Sequence, residues 1–130
     1  MTVSHYHIIL YVADQQCSRD FYTAVLQKEP VLHVPGMTEF QLNDTLKLGL
    51  MPENGIAKII SDKAPHPATG NGIPRCELYL ITENVEAAYK NALNAGAKEI
   101  SKIEERNWGD IAGYVADPDG HIIAFAKHKD

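Results

Sequence analysis

The chain has 130 residues, of which 45% are hydrophobic and 22% charged, with a formal net charge of −5 and a pI near 5.6. This length suits one domain able to bury about two thirds of its unfolded surface, and the acidic balance argues against a nucleic-acid footprint. No apolar run approaches the roughly 20 residues that span a bilayer, and the opening MTVSHYHIILYVAD has no basic n-region of a signal peptide. A cytoplasmic protein is expected, without membrane or nucleic-acid partners. Cys17 and Cys76 show no motif spacing and are read as reduced thiols buried as small hydrophobes.

In chain order, residues 5–12 (HYHIILYV) alternate as a strand, and Asp14 can cap a helix carrying Phe21, Tyr22, Val25 and Leu26 on one stripe. After Pro30, strand-like pieces follow at 31–34, 38–43 and 46–51, with turns at Pro35-Gly36 and Asn43-Asp44. Residues 52–74 are rich in Pro, Gly and Asn and read as a linker, with IAKII as one helical turn. The order then repeats. Residues 75–82 (RCELYLIT) alternate, and Asn84 can cap a helix with Val85, Ala88, Tyr89, Ala92 and Leu93 at helical spacing, stopped by Gly96. Strands are expected at 98–103, 110–116 and 121–128. Between the last two, DPDGH (117–121) reads as a tight turn: Pro118 presets φ, Gly120 takes a left-handed conformation, and Asp117 accepts a local backbone N–H.

Each half is therefore βαβββ, giving an α+β fold with module one at 5–51 and module two at 75–128. A half of this size scarcely buries one sheet face alone, so two such halves are expected to pack with a cavity between their sheets. Alternation assigns the strand faces. Tyr6, Ile8, Leu10 and Val12 should cover the first helix, leaving His5, His7, Ile9 and Tyr11 opposite. Cys76, Leu78 and Leu80 should face the second helix, leaving Arg75, Glu77, Tyr79 and Ile81 opposite. A non-helix face carrying His, Glu and tyrosines suits a ligand cavity.

The duplicated βαβββ order, SRDFYTAVL (18–26) after YVAD, NWG (107–109), and DPDGH before a terminal strand together resemble the glyoxalase/bleomycin-resistance/extradiol-dioxygenase family, the vicinal oxygen chelate superfamily. The resemblance covers about residues 5–128. It implies two βαβββ modules forming curved mixed sheets around a cleft, usually in a homodimer. Metal-dependent members hold one divalent ion with His and Glu from four strands. Carried over one at a time, the first position is His7 and the third is Glu77. The second falls at Leu48 or Gly49 and the fourth at Ala124, none of which can ligate. His7 and Glu77 are thus a partial metal set, to which Glu39 adds an oxygen only if it shares the cavity face. No cofactor is expected, although a divalent metal stays possible.

No G-x-S-x-G, P-loop or CxxC pair is present, and GNG (70–72) lacks the helix a dinucleotide site requires. Cys17 opens the first helix, where a thiol pKa falls, but no base accompanies it. His33, His66 and His128 read as loop or exposed residues. Trp108, the single tryptophan, lies at a strand mouth. Three functions follow. One is a small-molecule-binding protein whose ligand is held by His7, Tyr11, Glu77, Tyr79, Trp108 and Tyr114. The second is a metal-dependent lyase, isomerase or dioxygenase of the lactoylglutathione-lyase or dioxygenase kind, using His7 and Glu77. The third is a vestigial cavity in a dimerisation or regulatory module. The missing ligands and the polar–aromatic lining favour the first.

Overall fold

The computed structural model describes residues 1–130, which form two compact units, 1–71 and 72–130. Unit 1 runs β1 (Tyr6–Val12), α1 (Gln15–Leu26), β2 (Leu32–Val34), β3 (Met37–Gln41), β4 (Leu46–Pro52) and α2 (Glu53–Ile60), followed by two short 3₁₀ turns. Unit 2 runs β5 (Glu77–Ile81), α3 (Val85–Asn94), β6 (Lys98–Glu105), β7 (Asp110–Ala116) and β8 (Ile122–His128). The sheet orders correspond: β1-β4-β3-β2 in unit 1 and β5-β8-β7-β6 in unit 2. In each, the first strand pairs in parallel with the last and the other pairs are antiparallel, so both sheets are mixed. The α+β fold of two βαβββ modules is the architecture the sequence predicts.

The helices begin and end where local chemistry dictates. The Asp14 carboxylate accepts the Cys17 amide at 2.9 Å, and the Asn84 side chain accepts the Ala87 amide at 3.0 Å. Past α3, Gly96 takes φ +103°, a left-handed conformation open to glycine at little cost. Helix α1 buries Ser18, Phe21, Tyr22 and Val25, with the Phe21 and Tyr22 rings edge-on at 5.0 Å. Helix α3 buries Val85, Tyr89 and Ala92. Leu26, Ala88 and Leu93 of the expected stripes are half-buried.

The core of unit 1 is Leu10, Val12, Phe40, Leu48 and Leu50 beneath α1, and that of unit 2 is Leu78, Val115, Ile123 and Phe125 beneath α3. In unit 2 the Tyr89 ring lies so close to β7 that a Cβ on Gly113 would meet it at 2.9 Å, and Ile103 at 2.7 Å. Only glycine admits that approach.

Three expectations need correction. Tyr6 and Ile8 do not cover a helix: they are 52% and 38% exposed on edge strand β1. Cys17 and Cys76 are exposed, since Cys17 lies on the outer face of the first turn of α1 and Cys76 precedes β5. The stretch read as one helical turn is the eight-residue helix α2. His128, expected to be exposed, is so, as the last residue of β8 paired with Asp110.

Candidate functional site

Strand register decides which side chains share the open, non-helix face of each sheet. In unit 1, His7 pairs with Lys47 and Lys47 with Gln41, while Ile9 pairs with Gly49 and Gly49 with Glu39. Residues two apart on a strand share a face, so Gly49, not Leu48, is the β4 residue on the side of His7. Leu48 is fully buried in the core. Glu39 does share that face. Its Oε2 lies 3.6 Å from His7 Nδ1 and its Oε1 lies 3.5 Å from Lys47 Nζ. Beside this cluster a shallow depression of about 390 Å³ is lined by His5, His7, Gln41, Asp44, Thr45 and Lys47. Tyr11 lies on the same face and is 38% exposed.

In unit 2, Tyr79 pairs with Ala124 and Ala124 with Tyr114, while Glu77 pairs with Ile122. Ala124 is wholly buried in the row between the two tyrosines. Tyr79 donates its hydroxyl proton to Asp110 Oδ2 at 2.6 Å and accepts from Trp108 Nε1 at 2.9 Å. Asp110 Oδ1 is bonded to His128 Nδ1 at 2.5 Å. A chain of four side chains therefore runs Trp108–Tyr79–Asp110–His128. The Tyr79 and His128 bonds hold the Asp110 carboxyl below its ordinary pKa of 3.8. Burial, and then the Asp110 carboxylate, push the Tyr79 phenol up. Burial and nearby Glu77 do the same for Tyr114, against the pull of Arg106, whose guanidinium lies 5.1 Å from the Tyr114 ring centre. Arg106 is itself held by the Ala112 and Lys102 carbonyls and by Ser101 Oγ, which fixes the loop bearing Trp108.

Of the residues singled out from sequence, Glu77, Tyr79, Trp108 and Tyr114 belong to unit 2, and His7 and Tyr11 to unit 1. The tie between Tyr79 and Trp108 is direct, and Tyr114 follows Tyr79 two strands across. Asp110 and His128 were not foreseen as partners. The signal was available in the hairpin: stepping outward from DPDGH pairs 116 with 122, 114 with 124, 112 with 126, and 110 with 128.

The carried-over metal positions do not make a metal centre. Gly49 and Ala124 have no donor atom. Glu39 stands beside His7, but the Lys47 ammonium already occupies its other oxygen and repels a cation. Catalytic divalent-metal sites take three protein ligands, and this set does not fit one. Elsewhere, Asp117, Asp119 and His121 hold one potential ligand atom each within 4.8 Å of one another. Asp117 Oδ1 there accepts the amides of Asp119 and His121, so it shapes the turn.

Paired βαβββ modules with these open faces define a vicinal oxygen chelate protein, and comparison with known proteins agrees. The model of the glyoxalase-like domain family matches residues 5–128. An uncharacterised protein of Mycobacterium bovis is 30% identical over 115 residues, covering 86% of this chain and 75% of its own length. The fold matches a glyoxalase-related enzyme from Fulvimarina pelagi with a TM-score of 0.81 at 22% identity, over 94% of this chain and 86% of that one. It also matches a glyoxalase/bleomycin resistance protein/dioxygenase family enzyme from Burkholderia phytofirmans, with a TM-score of 0.77 at 14% identity over 99% and 100% of the two chains. The chain belongs to the glyoxalase-like domain family.

Proposed function

We propose that this protein binds a small organic molecule on its open sheet faces and needs no complete catalytic metal site to do so. Glu77, Tyr79, Trp108 and Tyr114 would line a ligand on the face of unit 2, and His7 and Tyr11 one on the face of unit 1. The observation that carries this reading is the bonded Trp108–Tyr79–Asp110 set, which holds two aromatic rings in place while Trp108 stays 56% exposed. Rings ordered before binding lose little conformational freedom on contact, which favours affinity for flat molecules. The family positions at Gly49 and Ala124 supply no ligand for an ion, which weighs against a lyase, isomerase or dioxygenase working through His7 and Glu77.

A homodimer belongs to the same reading. It is supported by the apolar exposure of edge strand β1, where Tyr6, Ile8, Ile9 and Tyr11 are each more than a third uncovered. The test is elemental analysis after dialysis, followed by thermal shifts with divalent metals and with aromatic compounds. Shifts with aromatic compounds and less than one tightly bound metal per chain are expected. Stoichiometric metal retained through dialysis would make the metal-dependent enzyme the better reading. Light scattering in the same buffer should give a mass above the 14.4 kDa of one chain.

A further inference from the structure

We infer that His128, held by Asp110, makes the open face of unit 2 a proton-accepting site for planar hydroxyl compounds, phenols and enols. The inference rests on the reading that this face binds small aromatic molecules and names the chemistry it selects. Asp110 and His128 face each other across the β7–β8 pair, on the face that carries Tyr114, Ala124 and Tyr79. Asp110 is 5% exposed and both its oxygens are taken, Oδ1 by His128 and Oδ2 by Tyr79. An ionised carboxylate can only accept, so His128 Nδ1 carries the hydrogen, and Nε2 is the acceptor of the neutral imidazole. The His128 side chain is 82% exposed, so Nε2 is open to a ligand. A buried carboxylate behind an accessible imidazole both fixes the tautomer and stabilises the imidazolium that forms on proton uptake.

The neighbouring groups narrow the ligand. Tyr79 already donates to Asp110 and accepts from Trp108, so its hydroxyl proton is not available. His128 Nε2 is then the acceptor that the network leaves unused, joined through Asp110 to Tyr79 and Trp108. A molecule with a flat π-system and an acidic O–H satisfies both features, whereas an ether or a tertiary amide satisfies only the first. The proton balance is simple. The ligand O–H bond breaks, its electron pair stays on oxygen, and the proton passes to Nε2. The imidazolium then faces the Asp110 carboxylate, and nothing is oxidised or reduced. On release the proton returns to the ligand or to solvent. The other charged groups around this face are Glu77, the Arg106 guanidinium over Tyr114, and the Lys129–Glu105 ion pair beyond β8.

The probe is 4-nitrophenol, whose phenolate absorbs visible light, in neutral buffer, where neutral imidazole and un-ionised phenol coexist. Added protein should raise the phenolate absorbance, and His128→Gln, a change at an exposed side chain, should abolish the rise and weaken binding about tenfold. Equal ionisation in His128→Gln, or a bound dye that stays a neutral phenol in the wild type, overturns the inference. An unchanged amide spectrum with 4-nitrophenol, alongside shifts with aromatic compounds that lack a hydroxyl, also overturns it while leaving the small-molecule reading standing. If no aromatic compound shifts the spectrum, the small-molecule reading falls, and the long-range ¹H–¹⁵N spectrum of His128 judges the pair alone. A hydrogen on Nδ1 that is lost in Asp110→Asn supports the acceptor, and a hydrogen on Nε2 at neutral pH overturns it.

Discussion

The two βαβββ units share strand order and, apart from two register shifts between β6 and β7, a regular pairing, yet differ on both sides of their sheets. Matching the β1–β4 pairs to the β5–β8 pairs makes His7 equivalent to Glu77, Ile9 to Tyr79, Gly49 to Ala124 and Glu39 to Tyr114. At these positions unit 1 carries an ionic cluster of His7, Glu39 and Lys47, whereas unit 2 carries aromatic rings tied to one buried acid. The helix sides differ as well. Thr38 of unit 1 occupies the place of Gly113 in unit 2. Thr38 Oγ1 accepts from Gln15 Nε2 at 2.9 Å, so a polar bond ties the start of α1 to β3. Gly113 instead clears the way for the flat Tyr89 ring, whose hydroxyl donates to Glu99 at 2.8 Å. Burial of that ring, with Glu99 beside it, raises the Tyr89 pKa to about 12. The repeat preserves backbone pairing, because every strand needs its ladder partners. Side chains are constrained only to fill the core beneath each helix, and the open faces are free to take on separate chemistry.

The comparison breaks most visibly at the equivalent pair Gly49 and Ala124. Ala124→Glu would bury a carboxylate between two phenols, with the Arg106 guanidinium already held by the Ala112 and Lys102 carbonyls, and should cost about 3–5 kcal/mol in urea denaturation. Gly49→Glu should cost less, because Lys47 and His7 share its face, although Ile9 must move from 3.1 Å. Equal losses at the two positions would show that the faces are electrostatically alike.

A smaller effect sharpens the helix side. Gly113→Ala drives a methyl into Tyr89 and Ile103, and should destabilise by about 1–3 kcal/mol in thermal melts. A neutral result there would mean that α3 is not docked through Tyr89.

The smallest effect separates the two acids. The folded pKa of Asp110 lies below its ordinary 3.8, so its contribution is fully present above that value and is lost as pH falls through the lower one. Trp108 fluorescence should therefore change on the acid side of pH 3.8, and the change should vanish in Asp110→Asn. Glu39→Gln in unit 1 should leave that transition untouched. A Trp108 transition that persists in Asp110→Asn would place its origin elsewhere.

Periodicity and caps were legible because they are local. Asp14, Asn84 and Gly96 mark helix ends through hydrogen bonds and φ values reaching no more than a few residues along the chain. Alternation correctly put Leu10 and Leu78 inside with His7 and Glu77 outside, since a strand turns over at every residue. Alternation fails at Tyr6 and Ile8 because it says which side a residue faces and not whether a helix covers it. Cys17 and Cys76 came out exposed for the same reason: burial belongs to the covering element and not to the residue.

By itself the sequence determined the duplicated βαβββ order, the helix stripes and the absence of donor atoms at Gly49 and Ala124, for each of these is a matter of residue identity and short-range spacing. Only the tertiary structure decided that Glu39 turns toward His7 and Lys47, and that Trp108, Tyr79, Asp110 and His128 form one bonded chain. Those contacts join residues as many as 32 positions apart in unit 1 and 31 in unit 2. They exist because strand register carries distant side chains onto one face, and register is set by the pairing of whole strands.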